Sequence, residues 1–335
     1  MDVPGGPYDE RPSARLRIAG AMFVALVFCL GVYLLLEATQ PVTGLISFSF
    51  LLILPAAISA FLAYVADLHG EKPLGSYLRV PLWLLLAVII LSAVLLQEGV
   101  ICIVILSPLW LASGLTGAWL AYRLRKRSDD FDKTYCCTLL LLPLFAMQVE
   151  PLIPLPQADM TVTRSLIVDA PAARIWPLLR GIPDVRADEG RWNITQDVLG
   201  VPRPFGAHLV GEGVGADRFA NWGRDIRFRE RIIDWQPGSR IEWKFLFDQI
   251  DGWRFTDRHL MPDSAYFRVT TGGYRLEPLG PNRSRLIINT RYQVKTPVNF
   301  YSAMWGEFFL GDLENNLLAL VKQRAEALPA AGSLR

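Results

Sequence analysis

The chain has 335 residues, enough for about two domains. Its 34 basic and 32 acidic residues leave a formal net charge of +2, which excludes the strongly basic profile of a nucleic-acid-binding protein. The apolar fraction of 52% exceeds that of average globular proteins. The excess and all four cysteines lie in the first half, so we expect a membrane half followed by a soluble half.

Five uncharged apolar runs follow one another in the first half, at 18–36, 42–66, 80–96, 99–122 and 134–149, and the fifth predicted span extends to 134–155. A helix that spans a bilayer needs about 20 apolar residues, and the first four runs meet this requirement. The fifth loses its clear apolar character after 149 and contains Pro143, so it spans only if 151–155 completes it. No ionisable residue lies at the centre of a run, which argues against a transporter or pump.

The loops between these runs differ in charge. Lys and Arg occur in the tail at 1–17 and in the loops before the third and fifth runs, whereas the alternate loops contain none. Because basic loops stay in the cytoplasm, five crossings predict a cytoplasmic amino terminus and an extracytoplasmic soluble half. If the fifth run is only an interfacial helix, the soluble half stays in the cytoplasm.

The soluble half reads as a sheet followed by one long helix. A strand at 161–168 precedes a short helix at 172–180, and 181–206 shows no clear period. Strands then follow, and the most distinct pair is a hairpin at 226–247, where apolar and charged residues alternate on both sides of Pro237-Gly238. Helical periodicity covers 298–328, and 329–335 is predicted to be a disordered tail. The last helix is the only element long enough to cover the sheet, and a gap between them is the expected ligand cavity.

With this order of elements, the chain resembles the START/polyketide-cyclase (SRPBCC) superfamily over 159–328. The matching segments are Asp169-Ala-Pro171, the residues 213–216, the residues 230–238, Tyr274-Arg-Leu-Glu-Pro278 and the end of the last helix. The resemblance implies an α+β helix-grip domain, with an antiparallel sheet wrapped round the long C-terminal helix. The whole chain is similar to bacterial proteins that carry such a domain on a multi-pass anchor in the inner (cytoplasmic) membrane.

Nine residues are candidates for the ligand pocket. They are the apolar and polar side chains that the pattern directs between sheet and helix: Phe228, Trp243, Phe245, Arg268, Tyr292, Trp305, Phe309, Asp312 and Asn316. Trp243 and Trp305 are expected to face each other, although each ring singly could be ordinary core. Asp312 and Asn316 either point into the cavity, where they would orient the polar end of a ligand, or face solvent.

Catalysis has weaker support. His259 in Asp257-Arg258-His259 could act as a general base, but a solvated loop histidine is the commoner case, and His208 is treated in the same way. No metal-ligand set and no glycine-rich nucleotide loop are present in the sequence, so neither a metal nor another cofactor is expected. Arg227, Arg229 and Arg231 form a solvated outer face or a surface for anionic lipid headgroups.

These patterns favour a membrane-anchored protein that binds or transfers a lipid or another hydrophobic small molecule, rather than an enzyme. The alternatives are a cyclase or hydratase that uses Asp312 or His259 as the base, and a non-catalytic scaffold whose helices recruit partners. The sequence carries no signal for an oligomeric state.

Overall fold

A computed structural model describes residues 14–39, 44–67, 70–96, 100–127, 133–223, 226–249, 253 and 261–327. The chain divides into a helical unit and a soluble unit, with the change at Pro154–Leu155. The predicted disordered tail at 329–335 and most of the amino-terminal tail lie outside the described residues, as does His259.

Within the described residues, the helical unit contains five α-helices: α1 (Ala14–Thr39), α2 (Leu54–Ala66), α3 (Leu74–Leu91), α4 (Val100–Arg127) and α5 (Lys133–Val149). Two of them are extended by π-helical turns, Ser49–Ile53 before α2 and Ser92–Leu96 after α3. Much of the apolar surface of α1 and α3 is exposed, including Phe23 at 68% and Trp83 at 63%. Exposed apolar side chains at this density are typical of helices that face lipid.

The prediction of about five spans is wrong in its count. Among the described residues, four helices are long and apolar enough to cross a bilayer: Leu16–Thr39, Ser49–Ala66, Leu74–Leu95 and Val100–Lys126. α5 falls short because its apolar part, Thr138–Leu152, is a shorter helix than the roughly 20 residues that a span needs. Four apolar helices are compatible with a membrane-anchored protein.

α5 nevertheless packs within the helical unit. Its closest neighbour is α2, and the Glu150 carboxylate after its last turn accepts hydrogen bonds from the backbone amides of Phe48 and Ser49, the latter at 2.9 Å. These amides open a helix and have no partner within it, and a negative charge is favourable there. The end of α5 therefore lies beside the start of the helical segment that includes α2.

The soluble unit contains one seven-stranded antiparallel sheet. The strands are β1 (Gln157–Val168), β2 (Pro204–Val210), β3 (Asp217–Trp222), β4 (Ile226–Gln236), β5 (Arg240–Gln249), β6 (Phe267–Gly280) and β7 (Arg283–Lys295). Their order across the sheet is β1-β7-β6-β5-β4-β3-β2. Two short helices, α6 (Ala172–Arg180) and α7 (Ile194–Asp197), lie between β1 and β2, and α8 (Asn299–Ala327) closes the chain. The predicted helix-grip architecture is confirmed.

One strand differs from its sequence prediction. The pattern at 266–277 suggests two strands, but β6 is continuous and pairs with β7 over nearly its full length, with a register shift between Val269 and Thr271. The shift returns Tyr274 and Leu276 to the inner face, where both are buried in the core. A β-bulge within one continuous strand therefore changes which residues face inward.

Two glycines allow α8 to lie close to the sheet. A Cβ atom at Gly306 would collide with the Tyr292 ring on β7, and one at Gly311 would collide with the Arg164 guanidinium on β1. Accordingly, β1 and β7 are the strands that α8 contacts most. A second part of the core, with Leu318 and Val321 from α8, lies over the middle of the sheet.

The span count predicts the result of reporter fusions placed after Arg127 and after Pro156. With four crossings, both reporters are expected on the same side, the cytoplasmic side marked by the basic loops. A cytoplasmic fluorescent reporter and an exported phosphatase measure this for each site. Reporters on opposite sides would contradict the count and restore a crossing by α5.

The close approach of α8 predicts that Gly306→Ala lowers the free energy of unfolding by about 1–3 kcal/mol, because Tyr292 is only 2% exposed and cannot move aside. Thermal unfolding of the full chain in detergent measures this. Part of the loss should disappear in a Tyr292→Phe background, which removes the hydroxyl that meets the new methyl group. A gain of about 1 kcal/mol, the usual helix-propensity benefit of alanine, would instead show that the contact is loose.

Candidate ligand-binding site

Aromatic side chains cover the inner face of β4 and β5. Phe228 on β4 lies 5.8 Å from Phe245 and 5.7 Å from Phe247 between ring centroids, and the two β5 rings stack at 5.9 Å. Trp222 on β3 adds a fourth ring 6.2 Å from Phe228. All four side chains are only partly buried. We call these four rings the aromatic patch. The helices that pack on the sheet do not bury it completely.

A buried ion pair lies on the same face. Arg218 of β3 and Glu230 of β4 are register partners, and their side chains form a salt bridge at exposures of 7% and 5%. Burial lowers the pKa of Arg218, but the charge of Glu230, the nearby Tyr274 and the hydrogen bond to Glu230 together raise it above its ordinary value, so the guanidinium stays charged. Its Cζ lies 5.4 Å from the Trp243 ring centroid, a cation–π distance.

A row of four residues crosses the inner face beside this pair. Trp243 on β5 pairs with Gly272 on β6, and Gly272 pairs with Thr290 on β7. The Trp243 Nε1 atom lies 3.1 Å from the position that a Cβ atom of Gly272 would take, so the indole N–H extends over β6 where a side chain is missing. Glu314 on α8 lies beside Thr290, whose hydroxyl acts on the carboxyl group as a hydrogen-bond donor would and lowers its pKa, although the contact does not have the geometry of an ordinary hydrogen bond. We call Trp243, Gly272, Thr290 and Glu314 the polar row.

Glu314 is an unusual residue for a helix that packs on a sheet. It is 2% exposed, and neither carboxylate oxygen has a hydrogen-bond partner among the described residues. Burial raises its pKa to about 7, and the nearby Thr290 hydroxyl and Arg164 guanidinium oppose the shift only in part. A carboxyl group in this position holds its proton far more readily than one in water.

The structure places the remaining aromatic candidates on β7 and α8. Tyr292 is buried, and its hydroxyl donates to the Ala303 carbonyl at 3.3 Å. Trp305 stacks on Phe309 at 5.4 Å, within its own helix. Within the described residues no ring contact joins Trp243 and Trp305, so the expected pairing across sheet and helix is not formed by direct contact.

Asn316 is buried and Asp312 is partly buried, and both bond to the segment between α6 and β2. Asp312 accepts hydrogen bonds from the backbone amide and the hydroxyl of Thr195, at 3.1 and 2.9 Å. Asn316 accepts one from the Arg191 amide at 2.7 Å and donates to Gln196 at 2.8 Å. Both residues thus attach the irregular segment before β2 to α8. A role of either residue in ligand binding stays a prediction.

Arg268 is an exposed residue that pairs with Asp263 at 2.7 Å, and its place in the pocket also stays a prediction. On the outer face, Arg229 and Arg231 form ion pairs with Asp248 and Asp217. His208 stacks on Phe219 at 5.3 Å. The part of the chain that the structure describes contains no group of three or more His, Cys, Asp or Glu placed to hold a metal ion.

Sequence reasoning missed the polar members of the site, although signals for two of them exist. Glu314 lies four residues after Leu310 and four before Leu318, which is the spacing of one apolar helix face. Glu230 shares the strand parity of Phe228 and Ile232, the inward residues of β4. A charged residue in an apolar row is the signal that both share. Nothing in the sequence indicates that Gly272 makes room for an indole.

The raised pKa of Glu314 predicts how stability depends on pH. Because the folded-state pKa of about 7 lies above the ordinary value of 4.5, the folded protein binds the proton more tightly. The free energy of unfolding should therefore fall between pH 4.5 and 7, by roughly 3 kcal/mol, and level off above. Glu314→Gln should remove this decrease, as measured by chemical denaturation from pH 4 to 8.

The matched control is Glu212→Gln, which changes a glutamate whose side chain is 70% exposed. It should leave the pH profile as it is in the unaltered protein. Parallel profiles for the unaltered protein and Glu314→Gln would contradict the assigned environment of Glu314.

Comparison with known proteins finds no matching family model and no matching curated protein. Among solved structures, the chain is similar to the ZhuI aromatase/cyclase from Streptomyces sp. R1128, with 17% identity, 52% of this chain and 99% of that chain covered, and a TM-score of 0.33. A START superfamily protein from Mycobacterium smegmatis matches at 15% identity, over 50% and 99%, with a TM-score of 0.33. Norcoclaurine synthase from Thalictrum flavum matches at 16% identity, over 52% and 90%, with a TM-score of 0.32.

Identities and TM-scores this low carry no information on function. The strand order and the position of α8 define the fold by themselves: the soluble unit has a helix-grip fold and follows four helices that are long and apolar enough to cross a bilayer.

Proposed function

We propose that the soluble unit binds a lipid or another hydrophobic small molecule between its sheet and α8, and that the helical unit keeps this site next to a bilayer. The observation that carries the proposal is the aromatic patch. Its four large rings lie on the inner face of the sheet, where a closed core would bury them, yet each is only partly buried.

The free energy involved is large enough to bind a ligand. Full burial of one phenylalanine side chain contributes about 1.5–3 kcal/mol. Complete burial of the three half-buried phenylalanines and the tryptophan would therefore contribute several kcal/mol more. An apolar ligand that covers the patch would recover part of this free energy. Three ring pairs of the aromatic patch are tilted and one is stacked, and aromatic rings of a ligand pack well in such arrangements.

A membrane anchor suits a ligand of this class. Hydrophobic molecules concentrate in the bilayer, and a tethered site samples that supply at a high effective concentration. The helical unit supplies the tether, since four of its helices have the length and composition of bilayer spans. Binding and release at a bilayer therefore need no soluble intermediate partner.

The two alternatives have less support. A cyclase or hydratase with Asp312 as base conflicts with the two hydrogen bonds that Asp312 accepts from Thr195, and His259 lies outside the described residues. A scaffold without a ligand offers no reason to leave the aromatic patch unsealed, because a stable fold gains by closing it.

The proposal predicts that the full chain, purified in lipid nanodiscs, retains a defined hydrophobic molecule. Solvent extraction and mass spectrometry should find it in a stoichiometric amount, above the lipid content of empty nanodiscs. Phe245→Gln places a polar group in the aromatic patch and should lower the retained amount about tenfold, since the lost apolar contact is worth roughly 1–2 kcal/mol.

Phe205→Gln is the matched control, because Phe205 is 60% exposed on β2 and lies outside the aromatic patch. It should retain as much ligand as the unaltered protein. Equal ligand content in the Phe245 and Phe205 variants, or an extract indistinguishable from that of empty nanodiscs, would refute the proposed function.

A further inference from the structure

The polar row lies on the inner face of the sheet together with the aromatic patch, and both of its hydrogen-bonding ends lack a partner. The Trp243 Nε1 atom at one end and both Glu314 oxygens at the other are buried without a hydrogen-bond partner among the described residues. The two side chains are 4% and 2% exposed. An unpaired polar group buried in this way costs about 1–3 kcal/mol, so two at one place call for an explanation.

The two ends lie over neighbouring strands of the inner face. The indole N–H of Trp243 reaches over Gly272 on β6, and Thr290 on the next strand lies beside Glu314. The indole N–H and the Glu314 carboxylate do not bond to each other. A hydroxyl group that reaches both would accept from the first and donate to the second.

Resting on the proposed function, we propose that the polar row recognises a hydroxyl group at the polar end of the hydrophobic ligand. The hydroxyl oxygen accepts the Trp243 N–H, and its hydrogen is donated to the Glu314 carboxylate. The hydrocarbon part of the molecule then covers the aromatic patch. The ligand class is a hydrophobic alcohol or phenol.

Other polar groups fit the polar row less well. A ligand carboxylate would place a second negative charge beside Glu314, and the nearby Arg218 is already paired with Glu230. An ammonium group has no lone pair for the Trp243 N–H. A hydroxyl group donates and accepts at one atom, and it adds no charge to a buried site.

A matched pair of probes tests this inference with the full chain in nanodiscs at pH 8. 2-Naphthol carries a hydroxyl group, whereas 2-methoxynaphthalene has the same rings and an oxygen that can accept but not donate. Equilibrium dialysis, corrected with empty nanodiscs, measures both affinities. We expect the protein to prefer 2-naphthol about tenfold, the usual gain from a hydrogen bond to a charged group.

Two variants separate the two ends of the polar row. Glu314→Leu should reduce the preference to near onefold by weakening only the binding of 2-naphthol. Trp243→Phe should weaken both probes about fivefold and leave their ratio unchanged, since both oxygens accept. Trp192→Phe, at a tryptophan that is 65% exposed, should change neither affinity.

The outcomes distinguish this inference from the proposed function. Equal affinity for both probes in the unaltered protein and in all variants would overturn hydroxyl recognition and leave hydrophobic binding intact; a buried water would then be the only partner of the polar row. Binding of neither probe would overturn both. Misfolding is not expected for Glu314→Leu, because replacing an unpaired buried carboxyl by an apolar group removes a cost, and its unfolding midpoint checks this.

Discussion

The structure of the soluble unit depends on how one helix covers a seven-stranded sheet. α8 is the only long helix among the described residues of this unit, and a single helix about 10 Å wide cannot cover so many strands spaced about 4.8 Å apart. Gly306 and Gly311 draw it towards β7 and β1. The far half of the inner face, on β3 to β5, must then be covered by something else. α6 and the core around Ile232 cover part of it, and the aromatic patch is the part that stays partly exposed.

The side of α8 that faces away from the sheet forms polar contacts. Four residues of α8 bond to the segment between α6 and β2: Asp312, Asn316, Gln323 and Arg324. Arg324 forms several of these bonds, with Glu189 and with the carbonyls of Pro183 and Asp184. A segment without regular structure needs such partners for its backbone groups. The helix is therefore held between a polar layer on one side and the sheet on the other, which explains why its apolar residues do not form a single wide stripe.

The contacts on the two sides of α8 show which features the sequence predicts and which it does not. The alternation in β4 and β5 and the length of α8 predict the fold, because period and element length are local properties. The fate of Asp312 and Asn316 is not local: their partners are more than a hundred residues away, in a segment without a period. The register that places Gly272 under Trp243 also depends on a bulge in β6, which no residue pattern announces. The fifth apolar run was wrongly predicted to span the bilayer because composition alone does not give the length of the helix.

The buried polar groups of the interior differ in how far they are satisfied. Arg218 and Glu230 form an ion pair, although burial raises the pKa of Glu230 and the Arg218 Nε atom has no hydrogen-bond partner among the described residues. Such a pair contributes little to stability, because desolvation offsets the attraction. Trp243 Nε1 and the Glu314 carboxylate have no ion-pair partner, so their desolvation lowers the stability of the fold. A fold selected for stability alone would replace them with apolar residues at no loss. Their presence beside the aromatic patch supports the proposed binding of a hydroxyl-bearing ligand, because the atoms that lower the stability of the fold would bind its hydroxyl group.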